Sequence, residues 1–558
     1  MSKTADSSNT SRGAKAPRPN LLPTAVLFVG AMAAYGVIAF ETLFNGQTSA
    51  AEISYLVKSW WYASSVVAPY TATGDMPLYF LQLGFWQQLQ GLGHIPARLA
   101  SIGMGVVSGL LLFVICKRLT ANTLAATAAV FIFLATPATA FSFAMATPAA
   151  TVSALHLAAI ALIVFSLGKP RPWATALMGA LCAVMYFYKQ HMLLAVVVLA
   201  PLYIAAIGRQ RALHTAILLA AAVAVTAAIL LSFPDKLTDY ALRLPVISPL
   251  LEQAGLLAPN FVLIDRGTAD AITMGPAFDR ISPSGLLDTF LLPYSGTIIL
   301  GLALLGLTVG PLRVLWIAPL YFLWLALAHY FSALGFCDRC MLSYAPYFSA
   351  VGALGAALAL AMFAHRMRVH AIPAGPPILV GAAIAVALNT FAPVLAVSDD
   401  TRRYPIPLLA QPYATTELAN IESMARWIAS NMPQREPVLV LHSLGKNKLA
   451  ALPYAVFLSG HMIPVQSLDP AGTKRELNTK LAAAARESVQ AAIEEESQWT
   501  DETLARWLGR DYDFVVFQED RTTDQRAVIA ALSRQFDVTA STVFRGSNVC
   551  LYKRKPVQ

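Results

Sequence analysis

Glu52 is the acid in this sequence best placed to move a proton. From Ser49 to Ser65, Ile53, Leu56, Val57, Trp60 and Trp61 recur at i, i+3, i+4, i+7 and i+8, one face of a helix. Two tryptophans in that stripe suit a helix lying at a membrane–water boundary. Glu52, Tyr55, Ser59 and Tyr62 line another face. A carboxylate at such a boundary, with a tyrosine one turn on, can act as a general base. The same glutamate closes Ser49-Ala50-Ala51-Glu52, a capping-box spacing in which it would satisfy backbone N–H groups. The two roles are compatible. Asp75 is the next acid, and beside Gly74 it also reads as a turn former; Glu41 is third. Among the bases, Lys189 interrupts the long apolar stretch Trp173–Ile207. It is either an anion-binding group or a lysine that snorkels to the interface. At mid-membrane it would cost ~3 kcal/mol, so interface placement follows from either reading.

The elements that hold these residues are mostly membrane spans. The chain has 558 residues, 57% apolar and 13% charged, with a mean hydropathy of +0.58. That composition excludes a disordered chain, a basic nucleic-acid-binding protein and a disulfide scaffold, and it leaves a polytopic membrane protein. Residues 398–558 hold 19 acids and 19 bases, whereas residues 1–397 hold 12 acids and 21 bases and so carry the whole net charge of +9. The expected fold is therefore an all-α polytopic membrane domain (21–397) followed by a small α/β extracytoplasmic domain (398–558), after a disordered tail, 1–20.

Uncharged runs long enough to cross a ~30 Å hydrocarbon core predict about eleven spans. The first runs from Leu21 to Phe40, and the next from Pro96 to Cys116, stopping at Lys117-Arg118. Leu119 to Gly168 carries no charge and reads as two helices broken near Thr147-Pro148. Trp173 to Ile207 would make a helix of ~50 Å, too long for one pass, so a hairpin turning near Tyr188-Lys189-Gln190-His191 is expected. Further spans begin near Leu213, Thr289, Val314, Met341 and Ile378. Alternate loops and the N-terminal tail hold thirteen bases and one acid, Asp6, while the other eleven acids fall opposite. By the positive-inside rule the N-terminus is cytoplasmic, and an odd span count places the C-terminal domain outside. Two external loops are long, 41–95 and 234–288. The first span lacks a small-residue cleavage site and is not a removable signal.

In this setting a set of short motifs resembles the GT-C glycosyltransferases that use lipid-linked sugars, the group of protein O-mannosyltransferases and the lipid A aminoarabinose transferase. Ala51-Glu52…Tyr55 is similar to their Asp-Glu…Tyr in the first outer loop. Met76-Pro77-Leu78-Tyr79-Phe80 is similar to a Pro-Pro-Leu-Tyr-Tyr segment, and Arg98-Leu99 to an Arg-Leu at the start of the next helix. Tyr188-Lys189-Gln190 looks like their lysine at an outer helix end. Arg339-Cys340-Met341-Leu342 through Pro346 looks like an Arg-Tyr-x-Leu…Pro before a late span. The resemblance covers residues 20 to about 395. Departures are Ala51 in place of the aspartate, Cys340 in place of the tyrosine, and no acid in the second outer loop.

The resemblance implies transfer of a sugar from a polyprenyl-phosphate donor to a glycan, glycolipid or protein acceptor at the outer face of a bacterial inner membrane, by a hexosyl- or pentosyltransferase. The catalytic carboxylate candidates are the two acids nearest the matched motifs: Glu52, which occupies the family's acidic position and is favoured, and Asp75, which stands where the family usually has His or Pro. The substrate-binding candidates are Tyr55, Tyr79 and Lys189, with Lys189 at the phosphate, and Lys58, Arg98 and Arg339 are weaker phosphate candidates. Arg98 also reads as a simple helix-end anchor. A divalent cation would want two or more carboxylates, and with Ala51 none is expected. No cofactor or nucleic-acid partner is expected; the partners are the donor, the acceptor and the bilayer. Two alternatives stay open: a catalytically impaired relative that serves as a binding or assembly partner, and a lipid or solute transporter. The latter usually shows inverted repeats and midplane charges, which this sequence lacks.

Cys116 and Cys182 read as core residues and His156 as a bundle contact. Cys337 and Cys340 read as a disulfide, a redox pair or a metal pair. Beyond the linker to Pro412, Thr416–Asn431 is helical in pattern, Val438–His442 and Phe514–Phe517 are strand-like, Thr473–Glu496 is a charged helix, and Phe536–Tyr552 alternates like a hairpin around Gly546. His442-Ser443-Leu444-Gly445-Lys446 reads as a polar turn after a strand.

Overall fold

The computed structural model describes residues 21–45, 52, 55–56, 59, 77–91, 93–189, 192–233, 237, 250, 253–255, 302–306, 324, 345–369, 380–385, 417–432, 438–442, 451–460, 508, 512–519, 526–544 and 546–556. Ten helices make up the described membrane part: α1 (Leu21–Asn45), α2 (Pro77–Gln90), α3 (His94–Thr120), α4 (Thr123–Leu134), α5 (Pro137–Ala144), α6 (Ala149–Phe165), α7 (Pro172–Tyr188), α8 (Leu193–Ile207), α9 (Arg211–Ser232) and α10 (Ala345–Val369). Among the described residues four stretches are long and apolar enough to cross a membrane: Leu21–Phe44, His94–Thr120, Arg211–Ser232 and Ser349–Arg366. Four shorter helices, α4, α6, α7 and α8, are also apolar. The spans expected near Thr289 and Val314 lie largely outside the described residues.

Local chemistry sets the breaks. α3 ends at Lys117-Arg118 with Ala121 in the left-handed region, and Asn122 then caps α4 by accepting from the N–H groups of Leu124 and Ala125. The uncharged stretch from Leu119 to Gly168 forms three helices where two were expected. The additional break comes at Ala135-Thr136, because Pro137 occupies the first turn of α5 and restricts the residue before it. The expected break near Thr147-Pro148 separates α5 from α6. The expected hairpin is present too: α7 stops at Tyr188, Lys189 is extended, and α8 starts at Leu193.

The bundle closes around one large apolar cluster that α1, α3, α4, α6, α7, α8 and α10 share. Cys116, Cys182 and His156 are buried in it or against it. Close approaches use glycine: a Cβ on Gly105 would strike the Tyr35 hydroxyl and Phe143, and one on Gly179 would strike the Leu218 carbonyl oxygen. One end of the α6–α9 group is fastened by a buried polar chain. Thr175 Oγ1 pairs with His214 Nδ1 at 2.6 Å and with the Tyr203 hydroxyl at 3.2 Å, and Ser166 donates to Tyr203 at 3.4 Å.

The C-terminal part is α/β, with α11 (Glu417–Asn431), β1 (Val438–His442), α12 (Ala451–Leu458), β2 (Phe514–Gln518), α13 (Arg526–Gln535), β3 (Phe536–Phe544) and β4 (Ser547–Arg554). The sheet order is β1-β2-β4-β3, with β1 and β2 parallel and the other pairs antiparallel. Alternation along β2 sends Val515 and Phe517 to a cluster with Val528 and Leu532 of α13. Phe514 and Val516 face a cluster that holds Ile421, Met424 and Ile428 of α11. That second cluster continues into Leu56, Tyr79, Phe80, Leu83, Ala97 and Ala146 of the membrane part, so the α/β domain packs on the loop after α1. The linker and the charged helix expected over Thr473–Glu496 lie outside the described residues.

Gly→Ala in a helix interior normally adds roughly 0.5–1 kcal/mol of stability. At Gly179 the sign is expected to reverse: Gly179→Ala should cost about 1–3 kcal/mol, because the methyl meets a backbone oxygen that no rotamer change can move. Thermal melting of the detergent-solubilised protein checks this. An unchanged or raised melting temperature would contradict the α7–α9 contact.

Candidate active site

Within the loop after α1, Glu52, Tyr55, Leu56 and Ser59 are helical, which puts them on one face. Glu52 and Arg98 are both 0% exposed. They meet side-on: Arg98 Nε donates to Glu52 Oε1 and Nη2 donates to Oε2, each at 2.8 Å. The Ala146 backbone N–H also donates to Oε1, at 2.8 Å, from the break between α5 and α6. Arg98 Nη1 then reaches the Thr42 and Leu43 carbonyl oxygens at 2.6 and 3.3 Å. Those carbonyls belong to the last turn of α1, where no intrahelical donor remains and the helix dipole is negative. Arg98 therefore ties the end of α1 to the loop acid.

Burial alone would raise the carboxyl of Glu52. The charge and hydrogen bonds of Arg98, the N–H of Ala146 and the nearby His94 outweigh it and hold the group below its ordinary 4.5. A carboxylate so engaged is a weak base. Its geometry suits holding the loop in place, and proton transfer through it would require the pair to part. The capping-box partner Ser49 lies outside the described residues.

Beside the pair, Tyr79 stacks edge-on with Tyr55 at 5.8 Å between centroids, and Phe80 tilts against both. Burial, reinforced by Tyr55, Glu52 and Tyr188, pushes the phenol of Tyr79 well above its usual range, so it keeps its proton. Tyr188 at the end of α7 packs on this aromatic group, and Lys189 follows it directly. Lys189 is buried, and burial lowers its ammonium to about 8.

Of the residues singled out in the sequence, the structure brings together Glu52, Tyr55, Tyr79 and Arg98, with Lys189 adjoining through Tyr188. Asp75, Lys58 and Arg339 lie outside the described residues, as do Cys337 and Cys340. Among the described residues no group of three or more His, Cys, Asp or Glu could hold a metal ion. The sequence reading missed His94, Gln87 and the Ala146 N–H. His94 and Gln87 are 3% and 0% exposed, and their polar side-chain atoms have no hydrogen-bond partner among the described residues. Leaving such a group unmade costs about 1–3 kcal/mol, so the placement is informative. Gln87 was findable as the third member of the Tyr79, Leu83, Gln87 face of α2.

Removing one member of the buried pair strands the other charge. Arg98→Met is expected to cost about 3–5 kcal/mol. The double variant Glu52→Leu/Arg98→Met should cost less than Arg98→Met alone; melting curves of the wild type, both single variants and the double variant read this directly, and strict additivity would refute the coupling. The pH dependence has a definite sign. Glu52 has a lowered folded value, so its contribution is complete above 4.5 and is lost as pH falls through that lowered value. Glu52→Gln should remove this part of the acid limb of a melting-temperature profile.

No protein-family model matches the chain, and no curated protein matches it by sequence. By structure it is similar to ArnT from Cupriavidus metallidurans bound to undecaprenyl phosphate, with a TM-score of 0.52, 17% identity, and coverage of 94% of this chain and 97% of that one. Against the same protein in the apo state the TM-score is 0.52 at 16% identity, over 95% and 98% of the two chains. At these identities the likeness is one of fold, and it spans both proteins nearly end to end. The loop motifs pointed to a fold, and this chain shares that fold with ArnT.

Proposed function

We propose that this protein transfers a sugar from a polyprenyl-phosphate donor to a glycan, glycolipid or protein acceptor at the outer face of a bacterial inner membrane. The observation that carries the reading is the buried lysine at the α7–α8 turn, next to a tyrosine that packs on the Tyr79–Glu52 group. A buried cation between apolar helices suits the head of an amphiphilic phosphodiester whose lipid lies along the helices. The likeness to a fold crystallised with undecaprenyl phosphate supports the same ligand class.

In this reading the acceptor hydroxyl oxygen attacks the anomeric carbon, the carbon–oxygen bond to phosphate breaks, and polyprenyl phosphate leaves with one more negative charge. Lys189 offsets that charge. Tyr55 and Tyr79 flank the sugar. Glu52, fixed by Arg98 and Ala146, positions the loop. Asp75 is then the acid that takes the acceptor proton, and Lys58 and Arg339 are further phosphate contacts. The second reading, a non-catalytic relative, draws on Ala51, which stands in place of the aspartate of the family that the loop motifs resemble.

Membranes containing the protein, given radiolabelled polyprenyl-phosphate sugar, should form a glycosidic product, and Asp75→Asn and Lys189→Ala should each lower the rate tenfold or more. Binding of the donor without product would favour the non-catalytic relative, and movement of the donor across the bilayer without product would favour a transporter. Lys189 also sets a pH signature. With its ammonium lowered to about 8, it loses charge as pH rises through 8, so kcat/KM for the donor should fall above that pH. In Lys189→Arg, which stays charged, that fall should vanish. A wild-type profile flat from pH 7 to about 9.5 would remove Lys189 from the phosphate.

A further inference from the structure

Four side chains on the elements that meet at the ion pair carry polar atoms that nothing described so far engages. Ser59, Tyr79, Gln87 and His94 are 0%, 2%, 0% and 3% exposed. The Ser59 and Tyr79 hydroxyls, both Gln87 amide atoms and both His94 ring nitrogens have no hydrogen-bond partner among the described residues. Buried polar atoms are partnered in the large majority of cases, so each of these four calls for a partner.

They lie on three elements that meet at Glu52 and Arg98: the loop helix, α2 and the start of α3. Ser59 lies two turns along from Glu52 on the same helical face. Tyr79 and Gln87 share the buried face of α2 with Leu83. Gly91 and Gly93, at φ 94° and 148°, then turn the chain sharply so that His94 opens α3, one turn ahead of Arg98. Glu52 lies within electrostatic reach of both His94 and Tyr79.

The chemistry of the set is uniform. A hydroxyl, a carboxamide and a neutral imidazole each offer both a donor and an acceptor. A phosphate only accepts and an ammonium only donates, so a phosphate would leave the Gln87 carbonyl oxygen unmet and an ammonium would leave its amide N–H groups unmet. The charges nearby are already paired, Glu52 with Arg98. A group that both donates and accepts at every position is a sugar hydroxyl, and the Tyr55 and Phe80 rings beside Tyr79 supply an apolar face for the sugar ring. We infer that Ser59, Tyr79, Gln87 and His94 form a subsite for the hydroxyls of an uncharged sugar. This rests on the glycosyltransferase reading and adds to it the class of sugar and the residues that recognise it.

The test is equilibrium binding of the full-length protein in nanodiscs to decaprenyl phosphate and to its glucosyl, mannosyl, galactosyl and arabinosyl conjugates. For the wild type, at least one conjugate should bind more tightly than the bare lipid. His94→Phe and Gln87→Leu should each weaken that conjugate tenfold or more while leaving the bare lipid within twofold. Tyr79→Phe removes a single oxygen and keeps the ring, so it serves where the larger changes impair folding: it should weaken the conjugate severalfold without lowering the melting temperature. His94→Gln, which keeps a donor and an acceptor, should retain most of the affinity. Variants that bind the conjugate like the wild type, or lose both lipids together, would overturn the subsite; the first result would mean that water alone meets these atoms. A wild type that binds the bare lipid with no gain from any sugar would overturn the subsite and leave the donor-lipid reading standing. A wild type that binds none of the five lipids would overturn that reading.

Discussion

The arrangement of this protein depends on one buried guanidinium. Arg98 spends two N–H bonds on Glu52 and two on the final carbonyls of α1. Glu52 in turn accepts from the break between α5 and α6. Four segments that are remote in sequence thus meet at one ion pair: the end of α1, the loop helix, the start of α3 and the α5–α6 turn. Taking two charges out of water is costly, and their attraction offsets that only when the remaining donors and acceptors are also satisfied. Here the side-on geometry, the helix-end carbonyls and the backbone N–H supply those partners. The exchange gives registry more than stability, since hydrophobic side chains of similar volume could fill the same space but would not fix the loop's orientation.

Everything placed by that pair faces a region where helices are interrupted. α2 ends in a glycine turn, α5 gives way to extended Met145, and α7 stops at an extended Lys189. Backbone that leaves the helical pattern has free donors and acceptors, and in an apolar bundle these are tolerable only where protein or ligand groups satisfy them. Ala146 is a direct case, because its N–H is available to Glu52 only as α5 has ended. The breaks therefore belong to the construction of the site.

Much of the fold was legible because membrane chemistry is written in one dimension. Charge stops such as Lys117-Arg118, the excess length of Trp173–Ile207 and the alternation around Gly546 each depend on neighbours in sequence, and each corresponds to an element. The third helix in Leu119–Gly168 was missed because the stretch is apolar throughout, so hydropathy has no edge there and only Pro137 marks the division. In the site, Glu52 and Arg98 were each picked out by position in a motif, but their pairing spans 46 residues and no local pattern encodes it. The Ala146 contribution is a backbone group and leaves no trace in residue type. His94 and Gln87 are informative only through burial, which a sequence does not display.

The α/β domain also bears on the site. Along β2, one set of alternating residues packs on α13, and the other joins α11 and then runs without interruption into Leu56, Tyr79 and Phe80. A shared apolar cluster couples the two parts energetically, since separating them would expose side chains from both. The Tyr79 ring thus packs on the loop helix through Tyr55 and belongs to the cluster that Tyr188 of α7 and Ile421 and Met424 of the α/β domain also join. Tyr79 can be fixed this firmly and still present its hydroxyl because its ring does the packing and only its oxygen is left to ligand chemistry. An amphipathic aromatic at the junction of a membrane bundle and an α/β domain can pack and offer a polar atom at once, and a leucine there could only pack.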